Sequence, residues 1–441
     1  MYPTLQKSNL LRQTLNAATW LALSLGAQAQ NATTLAGPAP AQDLPTPLRQ
    51  AFEAAWSRQP EALALQARRD AAAAQRRAMQ SWTPEPPALE VSNKTDRLTR
   101  NQGARELAVG VAVPLWLPGE RGRAAALVDA EAAAIESRTL AERLRVAAAV
   151  REAWWNWQRS RVEADIARDQ TDNARRIAAD VARRLKAGDL ARADQHQADG
   201  AVAAAESNLA QSDAGIVTAA QRFTALTGFV PGAVPGSLPG TVQSAGAHHA
   251  EPLPDASAAA AASLESHAAL AELRDRAEVS ERAVALATAQ SRANPELTLA
   301  TTRDRGALGE RYGQTITLAV RIPLGSGPRH EAKLAAARAE VAEARAQIAL
   351  EGERLAAERE ATRMRVDAAR AQLAAAERRA QLARESRGFF DKSFRLGETD
   401  LPTRLRIEAE ATDAERQAAR TRIELAAAIS AWRQALGLLP Q

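Results

Sequence analysis

From Leu107 to Val113 every second residue is a large aliphatic, Leu107, Val109, Val111 and Val113, with Ala108, Gly110 and Ala112 between them. A period of two predicts a β-strand with one apolar face and one small or polar face. The pattern returns 209 residues later as Ile316, Leu318, Val320 and Ile322, and both runs lead into a proline, Pro114 and Pro323. A shorter extended stretch precedes each run, Leu89 to Thr95 and Glu296 to Thr302, introduced by Trp82-Thr83-Pro84-Glu85 and Arg292-Ala293-Asn294-Pro295-Glu296. The β inventory is thus four strands in two hairpin-like pairs, with the eight aliphatic residues of the two longer runs as the outward-facing set.

The rest of the pattern is helical and repeats at the same interval. Gly188 and Gly397, and Gly228 and Gly437, are again 209 residues apart, so the chain reads as two copies of one structural unit. The helical segments run about Leu48 to Gln80, Arg121 to Lys186 and Leu190 to Thr227 in the first copy. In the second they run about Ser257 to Arg292, Arg329 to Arg395 and Leu401 to Leu436. The longest would be rods of about 100 Å at 1.5 Å per residue, beyond the habit of globular domains. Leu334, Val341, Ile348 and Leu355 stand seven apart, and after an eleven-residue step Val366 and Leu373 resume that spacing, a heptad seam with one inserted stutter. The resulting organisation is a signal peptide over residues 1–29, a first repeat over 30–230, a Pro/Gly-rich linker over 231–255 and a second repeat over 256–441.

Composition changes this picture in three places. Lys7 and Arg12, the apolar run Trp20-Leu21-Ala22-Leu23-Ser24-Leu25 and the small-residue site Ala27-Gln28-Ala29 read as a secretory leader. No later segment approaches the roughly 20 apolar residues of a membrane-spanning helix, so any insertion must use strands. Cysteine is absent, which removes disulfides and thiolate metal sites. The net charge of +5 falls to +3 once Lys7 and Arg12 leave, and the remaining charges alternate in sign along Arg- and Glu-rich helices, a solvated surface rather than a nucleic-acid patch. The five histidines, His196, His248, His249, His267 and His330, have no partnered nucleophile, and there is no phosphate loop, HExxH or GxSxG. Neither an enzyme nor a cofactor or metal site is expected. Trp154 and Trp157 share a helical face and read as packing, while Trp82 and Trp116, beside strand ends, suit a bilayer interface, Trp116 the better of the two.

Four strands cannot close a barrel, and an open sheet would strand its edge amides in hydrocarbon. Membrane barrels start at eight strands, so several chains must share one: two would give eight, three would give twelve.

The ordered set, a strand pair ending in proline (Val113-Pro114-Leu115 and Ile322-Pro323-Leu324), a long helix, a Gly-centred turn and a closing Leu226-Thr227-Gly228 or Leu436-Gly437, resembles the TolC-like outer-membrane efflux proteins. The resemblance covers nearly all of the mature chain. It implies a mainly α fold with a small membrane β part, a homotrimer with a 12-stranded barrel and a 12-helix periplasmic tunnel. It also implies contact with outer-membrane lipid, a periplasmic membrane-fusion adaptor and an inner-membrane transporter of the resistance-nodulation-division type. Within the family the chain looks most like the CzcC-like heavy-metal branch, on Phe394 to Leu401 and the Ala426-Ala427-Ala428-Ile429-Ser430 region. Export of drugs, solvents or polypeptides by the same architecture, and a periplasmic coiled-coil scaffold without a membrane part, stay as alternatives.

The resemblance assigns the two helix reversals to the tips that meet the adaptor: Arg184, Leu185, Gly188, Asp189 and Leu190 in the first, Leu396, Gly397, Thr399, Asp400 and Leu401 in the second. Asp189 is the expected cap of the helix after the first turn, and Thr399 or Asp400 of the helix after the second. In the family, acidic residues just past the tip help close the entrance. Asp194 matches that place in the first copy, but the second has Thr403 followed by Arg404 and Arg406. The expectation for this chain is therefore a gate in which Asp189 or Asp194 pairs with Arg404 or Arg406 of a neighbouring helix.

Overall fold

The computed structural model describes residues 47–98, 101–228, 230–231, 250–255, 257, 262–325 and 327–441. The leader, most of the linker and the His248-His249 pair lie outside the described residues. Seven α-helices and four strands alternate among the described residues: α1 Pro47–Ser57, α2 Pro60–Met79, β1 Ala88–Thr95, β2 Arg105–Pro114, α3 Glu120–Ala187, α4 Arg192–Thr227, α5 Ala268–Ala289, β3 Glu296–Arg305, β4 Gly313–Arg321, α6 Gly327–Arg395 and α7 Leu401–Ala435.

The first helical segment differs from expectation. It is two helices, because Pro60 has no N–H to continue the ladder of α1 and instead occupies the first turn of α2. In the segment expected from Ser257, Ser257 is helical, residues 258–261 lie outside the described residues, and α5 begins at Ala268 after a 3₁₀ turn over Leu264–Ser266. There His267 serves as cap, its Nδ1 accepting from the Ala269 N–H at 3.3 Å.

All four strands form one antiparallel sheet in the order β1-β2-β3-β4, so the second strand of the first repeat pairs with the first strand of the second. Both outer edges, β1 and β4, carry unpaired backbone groups. α3 and α6, at 68 and 69 residues, are rods of about 100 Å. α3 packs on α4 and α5, α6 on α7 and α5, and α3 also touches α7. The seam of α6 is on its packed face: Leu355 and Val366 are buried, while Leu334, Val341, Ile348 and Leu373 are half-buried among exposed neighbours. Alanine supplies the lower contacts, with Ala376 and Ala380 against Ala414 and Ala418, as suits helices that approach closely.

The main core lies midway along α3. Leu48, Ala51, Phe52 and Ala55 of α1, at helical spacing, meet Val146, Val150 and Trp154 of α3, Phe223 of α4 and Ile423 of α7. Trp154 stacks on Trp157 at 5.2 Å and on Phe223 at 5.8 Å, so the tryptophan cluster is packing. Each such aromatic contributes about 1.5–3 kcal/mol by burial. Beside this core Glu251, where the chain returns from the linker, is enclosed by Arg151 and Arg433. Its carboxylate accepts from Arg151 at 2.7 and 2.9 Å, from Arg433 at 3.2 Å and from the Ser430 hydroxyl at 2.5 Å. Burial, opposed by Glu251, holds the Arg433 pKa below its ordinary value.

Candidate functional site

Residues directly opposite in an antiparallel ladder point to the same face, so the register assigns both faces of the sheet. On one face lie the rows Leu89-Val111-Leu299-Leu318 and Val91-Val109-Thr301-Ile316, flanked by Val113-Leu297-Val320. On the other lie Glu90-Gly110-Ala300-Thr317 and Ser92-Ala108-Thr302-Thr315, with Lys94 paired to Glu106 at 3.0 Å.

Ten large aliphatics on the first face, Leu89, Val91, Leu107, Val109, Val111, Leu299, Ile316, Leu318, Val320 and Ile322, are between 37 and 78% exposed. A contiguous apolar patch of that size is not sustained against water. Seven of the eight residues expected to face lipid are thus exposed on one face. Val113 is half-buried, and Ile322 stands one residue beyond β4. From Leu107 to Leu115 this face stays apolar for about 27 Å of strand at 3.4 Å per residue, the order of a membrane barrel's apolar band once tilted. Trp82 is 93% exposed, whereas Trp116 turns its indole N–H back to the Ser81 carbonyl at 3.4 Å.

The opposite end of the rods holds the two reversals. After α3, Gly188 adopts φ 88°, and the Gly188 and Asp189 N–H groups donate to the Leu185 and Arg184 carbonyls. After α6, Gly397 adopts φ 80°, and the Gly397 and Glu398 N–H groups donate to the Phe394 and Ser393 carbonyls. Both close the helix with the same pair of bonds, and the left-handed φ is why glycine stands there.

The caps divide differently from expectation. Asp189 is exposed and does not cap, because α4 starts at Arg192. Asp194 reaches back instead, accepting from the Ala191 N–H at 2.9 Å. Asp400 caps α7 by accepting from the Thr403 N–H at 3.1 Å, and this hydrogen bonding lowers its pKa. Thr399 lies 2.6 Å from the Ser393 hydroxyl.

Of the expected tip residues, Gly188, Asp189, Leu396, Gly397 and Asp400 are exposed, and Arg184, Leu185, Leu190 and Thr399 are half-buried. Leu401 is 1% exposed and packs with Ile177, Val181, Ala198 and Phe394, so it belongs to the tip's interior.

Phe394 is the centre of that interior. The guanidinium carbons of Arg184 and Arg404 each lie 4.6 Å from its ring centroid, and Arg184 also donates to the Phe394 carbonyl at 3.1 Å. Arg404 is held by Asp391 at 2.7 Å and faces Asp180 at 3.8 Å. The geometry thus brings Arg404 to Asp391 and Asp180 of its own chain, and Arg406 to Glu410 at 3.1 Å, rather than to Asp189 or Asp194. Sequence reasoning drew Phe394 only into the resemblance to the CzcC-like branch and passed over Asp180 and Asp391. The signal available was an aromatic beside a predicted turn in a chain with only six phenylalanines. Among the described residues no group of three or more His, Asp or Glu side chains is placed to hold a metal ion.

An open four-stranded sheet, apolar outside and polar inside, at one end of paired helical rods is the protomer of an oligomeric β-barrel channel. Residues 52–229 match the family of outer membrane efflux proteins. The fold is that of VceC from Vibrio cholerae (19% identity, TM-score 0.69, covering 89% of this chain and 97% of that one). It is likewise that of CusC (17%, 0.67, 90% and 93%) and of the open state of MtrE from Neisseria gonorrhoeae (13%, 0.67, 89% and 89%). No curated protein sequence matches. The family match lies on the first repeat and the fold match extends over both, so the chain has the fold of these outer membrane channels.

Proposed function

We propose that three copies of this chain form the outer-membrane duct of a tripartite efflux system, joined through a periplasmic adaptor to an inner-membrane resistance-nodulation-division transporter. The observation that carries the proposal is the sheet: one continuous apolar outer face over four strands, a polar inner face, and two open edges. Edge amides have no partner in hydrocarbon, so β1 of one copy must meet β4 of the next, and three copies give twelve strands. Outer membranes washed with carbonate should retain the protein as a heat-dissociable trimer. Recovery in the wash, as a coiled-coil scaffold would behave, ends the proposal.

The exposed parts of the turns, Gly188-Asp189 and Leu396-Gly397, are the surfaces for the adaptor, with Phe394 and its two arginines bracing them from behind. The cargo reading is heavy-metal cations, supported by the resemblance of Phe394 to Leu401 and of the Ala426 to Ser430 region to the CzcC-like branch. A deletion strain should become sensitive to divalent metals and regain resistance with the gene. Sensitivity to organic solvents or drugs alone would move the cargo to that class.

Closure of the entrance is assigned to carboxylate–guanidinium pairs at the tip, Asp189 or Asp194 with Arg404 or Arg406 of a neighbouring helix in the assembly. The exposed Arg406–Glu410 pair is weak enough to exchange, whereas Arg404 must first leave Asp391. Charge reversal at Arg404 or Arg406 should raise the conductance of the reconstituted channel. Unchanged conductance in both removes the gate.

A further inference from the structure

We propose that Arg105, Arg303 and Arg305 form a site on the outside of the barrel for the phosphate groups of outer-leaflet lipid; the proposal rests on the channel reading above. The register sets the three side chains. Arg303 is directly opposite Leu107, and Arg305 is directly opposite Arg105, so all three share the face of Leu107, Val109 and Val111. They stand one and two rows beyond the Val91-Val109-Thr301-Ile316 row, each row rising about 7 Å. This is where an apolar band gives way to headgroups.

Tyr312, the residue just before β4 begins, lies against the pair. Its ring centroid is 4.6 Å from the Arg303 guanidinium carbon and 5.0 Å from that of Arg305. Arg305 is further oriented by donating from Nε to the Gly103 carbonyl at 3.0 Å. The ring and the carbonyl fix the two guanidinium planes.

The charge arrangement asks for an anion. Like charges directly opposite in a ladder destabilise it, yet Arg105 faces Arg305 with Arg303 alongside. Among the described residues no carboxylate forms an ion pair with any of the three, although arginines along the rods are repeatedly matched, as Arg354 is by Glu351 and Glu358. The nearest acids by register, Glu106 and Asp304, alternate onto the inner face, where Glu106 is held by Lys94. A phosphate offers what the chain omits: negative charge and oxygens spaced for the guanidinium fork. The depth of the site and its outward aspect select a lipid phosphate over a solute passing through the lumen.

The test uses the full processed chain, purified as its oligomer in nonionic detergent. Native mass spectrometry would follow binding of diphosphoryl lipid A, with phosphatidylcholine and inorganic phosphate as comparison arms. Wild type should carry diphosphoryl lipid A in preference to phosphatidylcholine, and millimolar inorganic phosphate should not displace it. In the Arg105→Gln, Arg303→Gln, Arg305→Gln triple variant that loading should fall at least tenfold, while Lys94→Gln on the inner face leaves it unchanged. If the triple variant fails to assemble, Arg303→Gln alone and Arg303→Lys provide the comparison, with lysine retaining part of the binding because charge remains and the fork is lost. Equal loading of wild type and variants, or displacement by inorganic phosphate, overturns the site while leaving the channel reading intact. A wild-type protein that never enters outer membranes fails at the earlier step.

Discussion

Removing the Glu251 carboxylate should loosen the return of the linker far more than loss of any ion pair on the rods. Glu251 is 1% exposed at its side chain, and its two partners Arg151 and Arg433 are each 4% exposed. Arg151 Nη1 also donates to Gln434 at 2.6 Å and to the Leu438 carbonyl at 3.0 Å, and Arg433 donates to the Pro252 carbonyl at 3.1 Å. The carboxylate thus joins α3, the end of α7 and the last residues of the linker. Glu251→Ala leaves two guanidiniums buried side by side without an anion, a loss of about 3–5 kcal/mol for a broken buried pair. Glu251→Gln keeps an acceptor and the shape, and should lose about 1.5–3 kcal/mol, the range for a hydrogen bond to a charged group. By contrast, Arg69 and Glu136 meet at 2.6 Å but are 47 and 50% exposed, and Glu136→Gln should cost at most about 1 kcal/mol. At 1.4 kcal/mol per factor of ten, Glu251→Ala raises local opening by roughly two to four orders of magnitude. Hydrogen exchange of residues 250–255 and 433–441 in the assembled protein reads that opening directly. Protection within tenfold of wild type for Glu251→Ala would refute the assignment of a buried charge clamp.

The same geometry bears on the two faces of the sheet, the tip and one buried histidine. Val109→Arg or Leu318→Arg on the outer face should cost about 2–4 kcal/mol near the midplane and reduce heat-stable oligomer in outer membranes, while Ser92→Arg and Thr315→Arg on the inner face should insert normally. Gly397→Ala forces a side chain into left-handed backbone at φ 80° and should weaken the turn by about 1–2 kcal/mol, seen as faster proteolysis at the tip with the barrel unaffected. His267 has its pKa lowered, chiefly by burial and next by Arg359, with Glu351 and Glu358 opposing. The unfolded chain therefore binds the proton more readily, so stability is full above about pH 6.5 and declines as pH falls from there towards the folded pKa. Thermal unfolding across that window should be flatter in His267→Asn, which keeps a side-chain acceptor for the Ala269 N–H.

The strands were legible because a sheet facing two different media must alternate in strict period two, and Leu107 to Val113 and Ile316 to Ile322 do so. The rods were legible to within about two residues at most ends, since glycine and proline punctuate them. What stayed hidden depends on partners distant in sequence. Asp194 rather than Asp189 completes the first turn because α4 starts two residues later than the spacing suggested. Leu401, expected as a contact, is buried because Phe394 and Ile177 meet over it, and no local pattern distinguishes an inward leucine from an outward one at a turn. Arg404 looked like a counter-charge for the acids of the first turn, yet Asp391, one helix away, takes it. The break at Pro60 is of another kind: the apolar spacing of Leu48, Ala51, Phe52 and Ala55 lapses at Arg58 and Gln59, and the missing proline N–H ends the helix. Local periodicity reports which medium a face meets, whereas the tips and the linker clamp are held by side chains from three separate stretches of chain. The open edges β1 and β4 extend that rule beyond one molecule: their hydrogen bonds can be completed only by another copy, so the barrel is specified by a sequence that contains only part of it.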